Sequence, residues 1–111
     1  MTQLIFYRGR DNVEFLTLSE GSDAVDVASI TRVVLVSKTV IIDSAEYPGL
    51  FDWNATIPAG KNKGSKALML LLGESSLADG SYSFNLITYD SDNTDGILWG
   101  NIRVLMKPAN G

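Results

Sequence analysis

Leu77-Ala78-Asp79-Gly80-Ser81-Tyr82-Ser83-Phe84-Asn85-Leu86 is the stretch whose reading settles what kind of fold this chain adopts. Tyr82, Phe84 and Leu86 fall on one side of an extended backbone and Ser81, Ser83 and Asn85 on the other, because successive side chains of a strand point to opposite faces. One face of this strand is apolar and the other wet, as in an antiparallel sheet packed on one side only. Downstream, Asp90-Ser91-Asp92-Asn93-Thr94-Asp95-Gly96 supplies turn residues, and a second long strand is predicted to follow from Ile97 to Met106. In that strand the alternation puts Leu98, Ile102, Val104 and Met106 on one face and Trp99, Asn101, Arg103 and Leu105 on the other.

The same period of two recurs upstream. Strands are predicted near Gln3 to Arg8, Asn12 to Leu18, Thr31 to Ser37, Val40 to Asp43 and Lys66 to Leu72, with a weaker one from Leu50 to Ile57. Glu20 to Asp23 and Pro58 to Gly64 read as turns. Helical periodicity is absent, apart from a possible single turn at Leu77-Ala78-Asp79. Such short, regularly spaced strands predict two antiparallel sheets packed face to face with Greek-key connections.

The segment from Leu77 to Phe84 resembles the start of the penultimate strand in immunoglobulin-like domains, where a Tyr stands two residues before a core position. That resemblance implies that the Tyr82 hydroxyl ties the preceding corner to the strand and that Phe84 fills the place antibody domains give to cysteine. The fold class expected is all-β: an immunoglobulin-like antiparallel β-sandwich of about seven or eight strands, with no disulfide. Residues 1–111 make one such domain, a length sufficient for one core.

Composition excludes several functions. With no Cys and no His, neither a disulfide framework nor thiolate zinc ligation is available, and the usual neutral-pH base is missing. The chain is therefore expected not to be an enzyme. A formal charge of -4 argues against nucleic acid as a partner, since affinity for phosphate backbones comes from clustered Lys and Arg. The longest apolar run, Ala67 to Leu72, is far too short to cross a membrane, and the N-terminus lacks the basic start and cleavage site of a signal peptide.

Four constellations invite a sharper reading. Asp90, Asp92 and Asp95 are weak calcium candidates: the Gly comes one residue late for an EF-hand loop, Thr94 stands at the fifth position and Asn101 at the twelfth, so a plain turn is preferred and no cofactor is expected. Gly60 to Lys66 lacks the ending of a phosphate-binding loop and reads as a basic turn. Among Asp43, Glu46, Asp52 and Glu74, no two can be placed at glycosidase spacing. Tyr47, Phe51, Trp53 and Trp99 are the candidate interface residues, because large rigid aromatics dominate interface energetics; with Tyr7 they could instead form a stacking platform for sugar.

The order of elements carries a wider resemblance. It runs from Arg10-Asp11-Asn12 through Ile30-Thr31-Arg32-Val33-Val34-Leu35 and Val40-Ile41-Ile42-Asp43-Ser44 to Leu50-Phe51-Asp52-Trp53. Leu70-Leu71-Leu72-Gly73, the Leu77 to Tyr82 corner and Tyr89-Asp90 to Gly96-Ile97-Leu98-Trp99-Gly100 complete it. This succession resembles the small β-sandwich structural proteins of tailed bacteriophages and prophages. The resemblance implies a virion structural protein, either a capsid decoration or a baseplate or fibre adaptor. It would be assembled in the bacterial host cytoplasm as a homo-oligomer, trimer or higher, with other virion proteins as partners. The alternative is a carbohydrate-binding module on a receptor-binding structure. Residues 2–7 and 107–111 read either as arms reaching a neighbouring subunit or as an ordinary terminal strand and end. On the assembly reading, truncating Trp99 is expected to abolish assembly and leave a folded monomer.

Overall fold

The computed structural model describes residues 2–16, 19–20, 23–24, 29–56 and 66–109. Ten strands run through them: β1 (Thr2–Tyr7), β2 (Glu14–Leu16), β3 (Ser19–Glu20), β4 (Asp23–Ala24), β5 (Arg32–Val36), β6 (Ile41–Asp43), β7 (Phe51–Thr56), β8 (Lys66–Leu70), β9 (Gly80–Tyr89) and β10 (Ile97–Lys107). They form a five-stranded sheet in the order β1-β10-β9-β5-β6 and a three-stranded sheet in the order β2-β8-β7, with β3 and β4 making a small ribbon. Buried side chains from both larger sheets make one core cluster, including Leu4, Phe6, Val33, Leu35, Leu68, Leu70, Phe84 and Val104. The all-β sandwich expected from the alternation is present.

Its order is that of an immunoglobulin-like fold. β5, β9 and β10 take the C, F and G places with β6 as an added C′ strand, while β2, β8 and β7 take B, E and D. The first strand departs from the antiparallel rule. β1 runs parallel to β10, from Thr2 opposite Ile102 to Tyr7 opposite Lys107, and it buries Leu4 and Phe6 in the core. The arm reading of residues 2–7 is thereby replaced by an integral strand, because an arm would have to withdraw two core side chains from their own domain.

The corner before β9 has the geometry its sequence implies. The Tyr82 hydroxyl donates to the Ala78 carbonyl at 2.7 Å, and its ring stacks on Phe84 with centroids 5.8 Å apart. Phe84 itself is fully buried. No helical turn forms at residues 77–79; the 3₁₀ turns lie instead at Pro48–Leu50 and Leu72–Glu74. At the second of these, the Gly9 N–H donates to the Gly73 carbonyl at 2.8 Å, pinning the β1–β2 connection to the end of β8.

One expectation about β10 is corrected. The pairing with β9 slips between Leu98 and Gly100, so Trp99 is an extra residue in the ladder. Counting by twos fails across such a bulge, since two residues share one step and every face beyond it is exchanged. Leu98 consequently pairs with Ile87 on the outer face and is 63% exposed, whereas Ile102, Val104 and Met106 face the core. Trp99 packs against that core rather than sharing the outer face with Asn101 and Arg103. The Pro58 to Gly64 turn and most of the basic loop up to Lys66 lie outside the described residues.

Candidate functional site

The outer face of the five-stranded sheet can be written down from its register. One row across β10, β9, β5 and β6 is Leu98, Ile87, Val34 and Asp43; the next is Asn101, Asn85, Val36 and Ile41; Arg103 and Ser83 follow. One end of the face is thus apolar and the other polar. Val34 is buried although it points outward, because its row neighbours and the Arg32–Asp43 pair close over it. The Arg32 Nε donates to both Asp43 carboxylate oxygens, at 2.9 and 3.2 Å, and an Arg32 terminal nitrogen completes the fork. The Arg32 guanidinium also sits over the Tyr89 ring, 4.9 Å from its centroid. These hydrogen bonds from Arg32, with a further one from the Ala45 N–H, hold the Asp43 carboxyl below its ordinary range.

At the polar end the side chains form a ladder. The Ser83 hydroxyl donates to Asn101 Oδ1 at 2.8 Å, and Asn101 Nδ2 donates to Asn85 Oδ1 at 3.4 Å. Beside it stands the turn between β5 and β6, which Ser37 organises: its N–H and hydroxyl both donate to the Val40 carbonyl, and its Oγ accepts from the N–H groups of Thr39 and Val40. Lys38 and Thr39 are held at the tip. Between turn and ladder lies a depression of about 510 Å³, with Lys38, Thr39, Ser81, Tyr82 and Asn85 among its walls.

A second, smaller cleft of about 250 Å³ opens beside β6, at the edge of the sheet. Ile41, Ile42, Tyr47, Leu50 and Leu77 make it largely apolar, with Glu74 on its rim. Ile41 is 64% and Tyr47 43% exposed, so a patch of apolar surface adjoins a strand edge that is unpaired among the described residues.

The structure distributes the four aromatic candidates differently. Tyr47 is at the surface. Phe51 is 6% exposed and belongs to the core, a correction to its interface role that follows from its place opposite Leu70 on the inner face. Trp53 and Trp99 are half-buried, packed against the core from different sheets. Tyr7 stands on β1, Phe51 and Trp53 on β7 and Trp99 on β10; among the described residues the stacked aromatic pair is Tyr82 with Phe84.

The Asp90 loop is a turn. Asp90 Oδ1 accepts from the N–H of Asp92 at 2.9 Å and from the N–H and side-chain amide of Asn93 at 2.8 and 3.0 Å, so its carboxylate is turned back into the loop. Among the described residues no three His, Cys, Asp or Glu are placed to hold a metal ion, and no helix is long and apolar enough to cross a membrane.

The carboxylates that do meet were not foreseen. Glu74 lies in hydrogen-bonding range of Asp11, across the junction that the Gly9–Gly73 bond closes, and that contact together with like-charge repulsion raises its pKa above the ordinary 4.5. Since the folded state then holds this proton more tightly than the unfolded chain, the pair opposes folding at neutral pH and ceases to do so in acid. Glu74→Gln is expected to raise the melting temperature at pH 7, with the gain shrinking as pH falls through the raised pKa and vanishing below 4.5. Equal gains at both ends of a pH series of thermal melts would refute the pairing. Asp43 behaves oppositely: its stabilising bond to Arg32 is present above the ordinary carboxyl pKa and is lost in acid. Spacing alone offered no signal for the Asp11–Glu74 contact, because the two residues meet only through the β1–β2 connection.

No family model matches the chain, and no curated protein matches it.

Proposed function

We propose that the chain is a non-catalytic assembly module, a virion structural protein of the kind found in tailed bacteriophages, which docks through the β6 edge into a homo-oligomer and onto other virion proteins. The observation that carries this reading is the surface around β6, where exposed Ile41 and Tyr47 flank an apolar cleft beside a sheet edge that no other described strand covers. A patch of this sort marks a surface made to be covered, and an open edge adds backbone donors and acceptors for a partner. The resemblance of its succession of elements to that of phage β-sandwich proteins supports the virion setting. A chain without His or Cys, whose Asp43 carboxylate is engaged by Arg32 and whose Asp90 carboxylate is turned into its own loop, also suits a part that binds rather than reacts.

Two measurements test it. Light scattering of the wild-type protein is expected to give a trimer or larger, and the Ile41→Asp, Tyr47→Ser double variant a monomer with an unchanged melting curve. Mass spectrometry of particles released by a host carrying the gene should find the chain in them. A wild-type protein that stays monomeric and is missing from purified particles would sink the reading.

A further inference from the structure

The depression at the polar end of the five-stranded sheet has a chemistry unlike the rest of the molecule. The whole chain carries a formal charge of -4, yet the described outer face of this sheet and its β5–β6 turn hold four basic side chains, Arg32, Lys38, Arg103 and Lys107, against one acidic, Asp43. That single carboxylate is bound by Arg32. At the start of β9, Asp79 is likewise engaged, by Arg8 at 3.5 Å. Lys38 lines the depression and Arg103, outside the lining, stands opposite Ser83 in the ladder, so both add positive charge beside a wall of hydroxyls and amides that includes no carboxylate.

The wall is built and has spare capacity. The Ser83–Asn101–Asn85 ladder fixes three side chains in one orientation, and its terminal amide, Asn85 Nδ2, has no protein partner among the described residues. The Ser37 hydroxyl locks the turn that carries Lys38 and Thr39, while Tyr82, fixed by its bond to Ala78, supplies part of an aromatic ring. A volume of about 510 Å³ falls within the usual range for small-ligand sites, roughly 300–1,000 Å³. Preorganised amide and hydroxyl groups beside a half-buried ring suit a ligand with many hydroxyls, and the neighbouring cations suit one that also carries a carboxylate. Nucleic acid is disfavoured by the chain's net charge of -4.

We infer that this depression is a binding site for an acidic oligosaccharide, a chain of uronic-acid type, held by Lys38 and Arg103 through its carboxylates and by Ser83, Asn85 and Asn101 through its hydroxyls. The depression shares no lining residue with the cleft at the β6 edge, although the two adjoin at Thr39 and Val40, so the inference does not rest on the assembly reading.

The test is a titration of backbone amide chemical shifts with trigalacturonate, its neutral methyl-esterified counterpart and tri-glutamate. Trigalacturonate is expected to move the amides of residues 37–40, 81–85 and 101–103 at millimolar sugar. The ester and the peptide should bind roughly tenfold more weakly, and Lys38→Ala or Arg103→Ala should each weaken trigalacturonate by a similar factor, as for lost hydrogen bonds to a charged group. Tyr47→Ser, in the β6 cleft and outside the depression's lining, should leave the titration unchanged. A peptide as effective as the sugar would show a surface for acidic protein and overturn the inference. So would an ester as effective as the acid, shifts confined to other residues, or no shifts at all.

Discussion

Trp99→Ala is expected to lower the unfolding free energy by about 3 kcal/mol, read as a fall in the midpoint of urea unfolding at an unchanged slope. The indole N–H donates to the Thr88 hydroxyl at 2.7 Å, and Thr88 is only 2% exposed. Truncation removes the ring's packing against the core and leaves that hydroxyl without its partner, and an unmet buried polar group alone costs about 1–3 kcal/mol. Trp99→Phe should recover the packing but not the bond, and so fall between. The sequence pointed to Trp99 as an interface residue whose loss would spare the fold; its position in the bulge makes the fold the first thing to suffer. An unchanged midpoint in Trp99→Ala, with loss of oligomers, would restore the interface role.

Gly73→Ala is expected to cost about 2–3 kcal/mol, the range for forcing extra volume into packed structure. A Cβ at this position would lie 2.7 Å from the Tyr7 carbonyl oxygen and closer still to that of Arg10. Neither is the end of a flexible side chain; both are backbone at the turn that Arg10 closes onto Tyr7 and that Gly9 ties to Gly73 itself. Relief therefore requires moving the β1–β2 connection away from the 3₁₀ turn. Thermal melts should show the loss, and hydrogen exchange should show Gly9 deprotected first. By contrast Gly49, where an added Cβ meets nothing within 4 Å, should accept Ala with a change of only a few tenths of a kcal/mol. Similar effects at both positions would mean that close approach is not what position 73 demands.

Much of the fold could be read in advance because its decisive signals are local. Tyr82, Phe84 and Leu86 alternate without interruption, and the corner from Leu77 needs only the reach of one tyrosine side chain to close on Ala78. Errors arose where a local count met a long-range fact. At Leu98 and Trp99 a single extra residue exchanged the faces, and nothing in Leu-Trp-Gly announces it except a glycine that the structure places at φ 127°. Phe51 has the composition of an interface residue and the environment of a core one, a difference set by which face of β7 is turned toward the five-stranded sheet. The polar depression was invisible for a related reason. Ser37, Ser83 and Asn101 are unremarkable where they stand in sequence, and become a wall only when β5, β9 and β10 lie side by side.

The parallel pairing of β1 with β10 bears on how the chain reaches this state. Thr2 finds Ile102 and Tyr7 finds Lys107, so the first strand closes a loop that encompasses almost the whole molecule. Such closure contributes the largest sequence separations to the contact order, and domains rich in non-local pairing fold on the slow side, in roughly milliseconds to seconds. The Leu4 and Phe6 side chains have no place in the core until residues 97–107 are laid down beside β9, which makes docking of β1 a late event. Until then the flank of β10 that β1 will cover is itself an open edge, and the nascent domain is at its most prone to pair with the wrong chain.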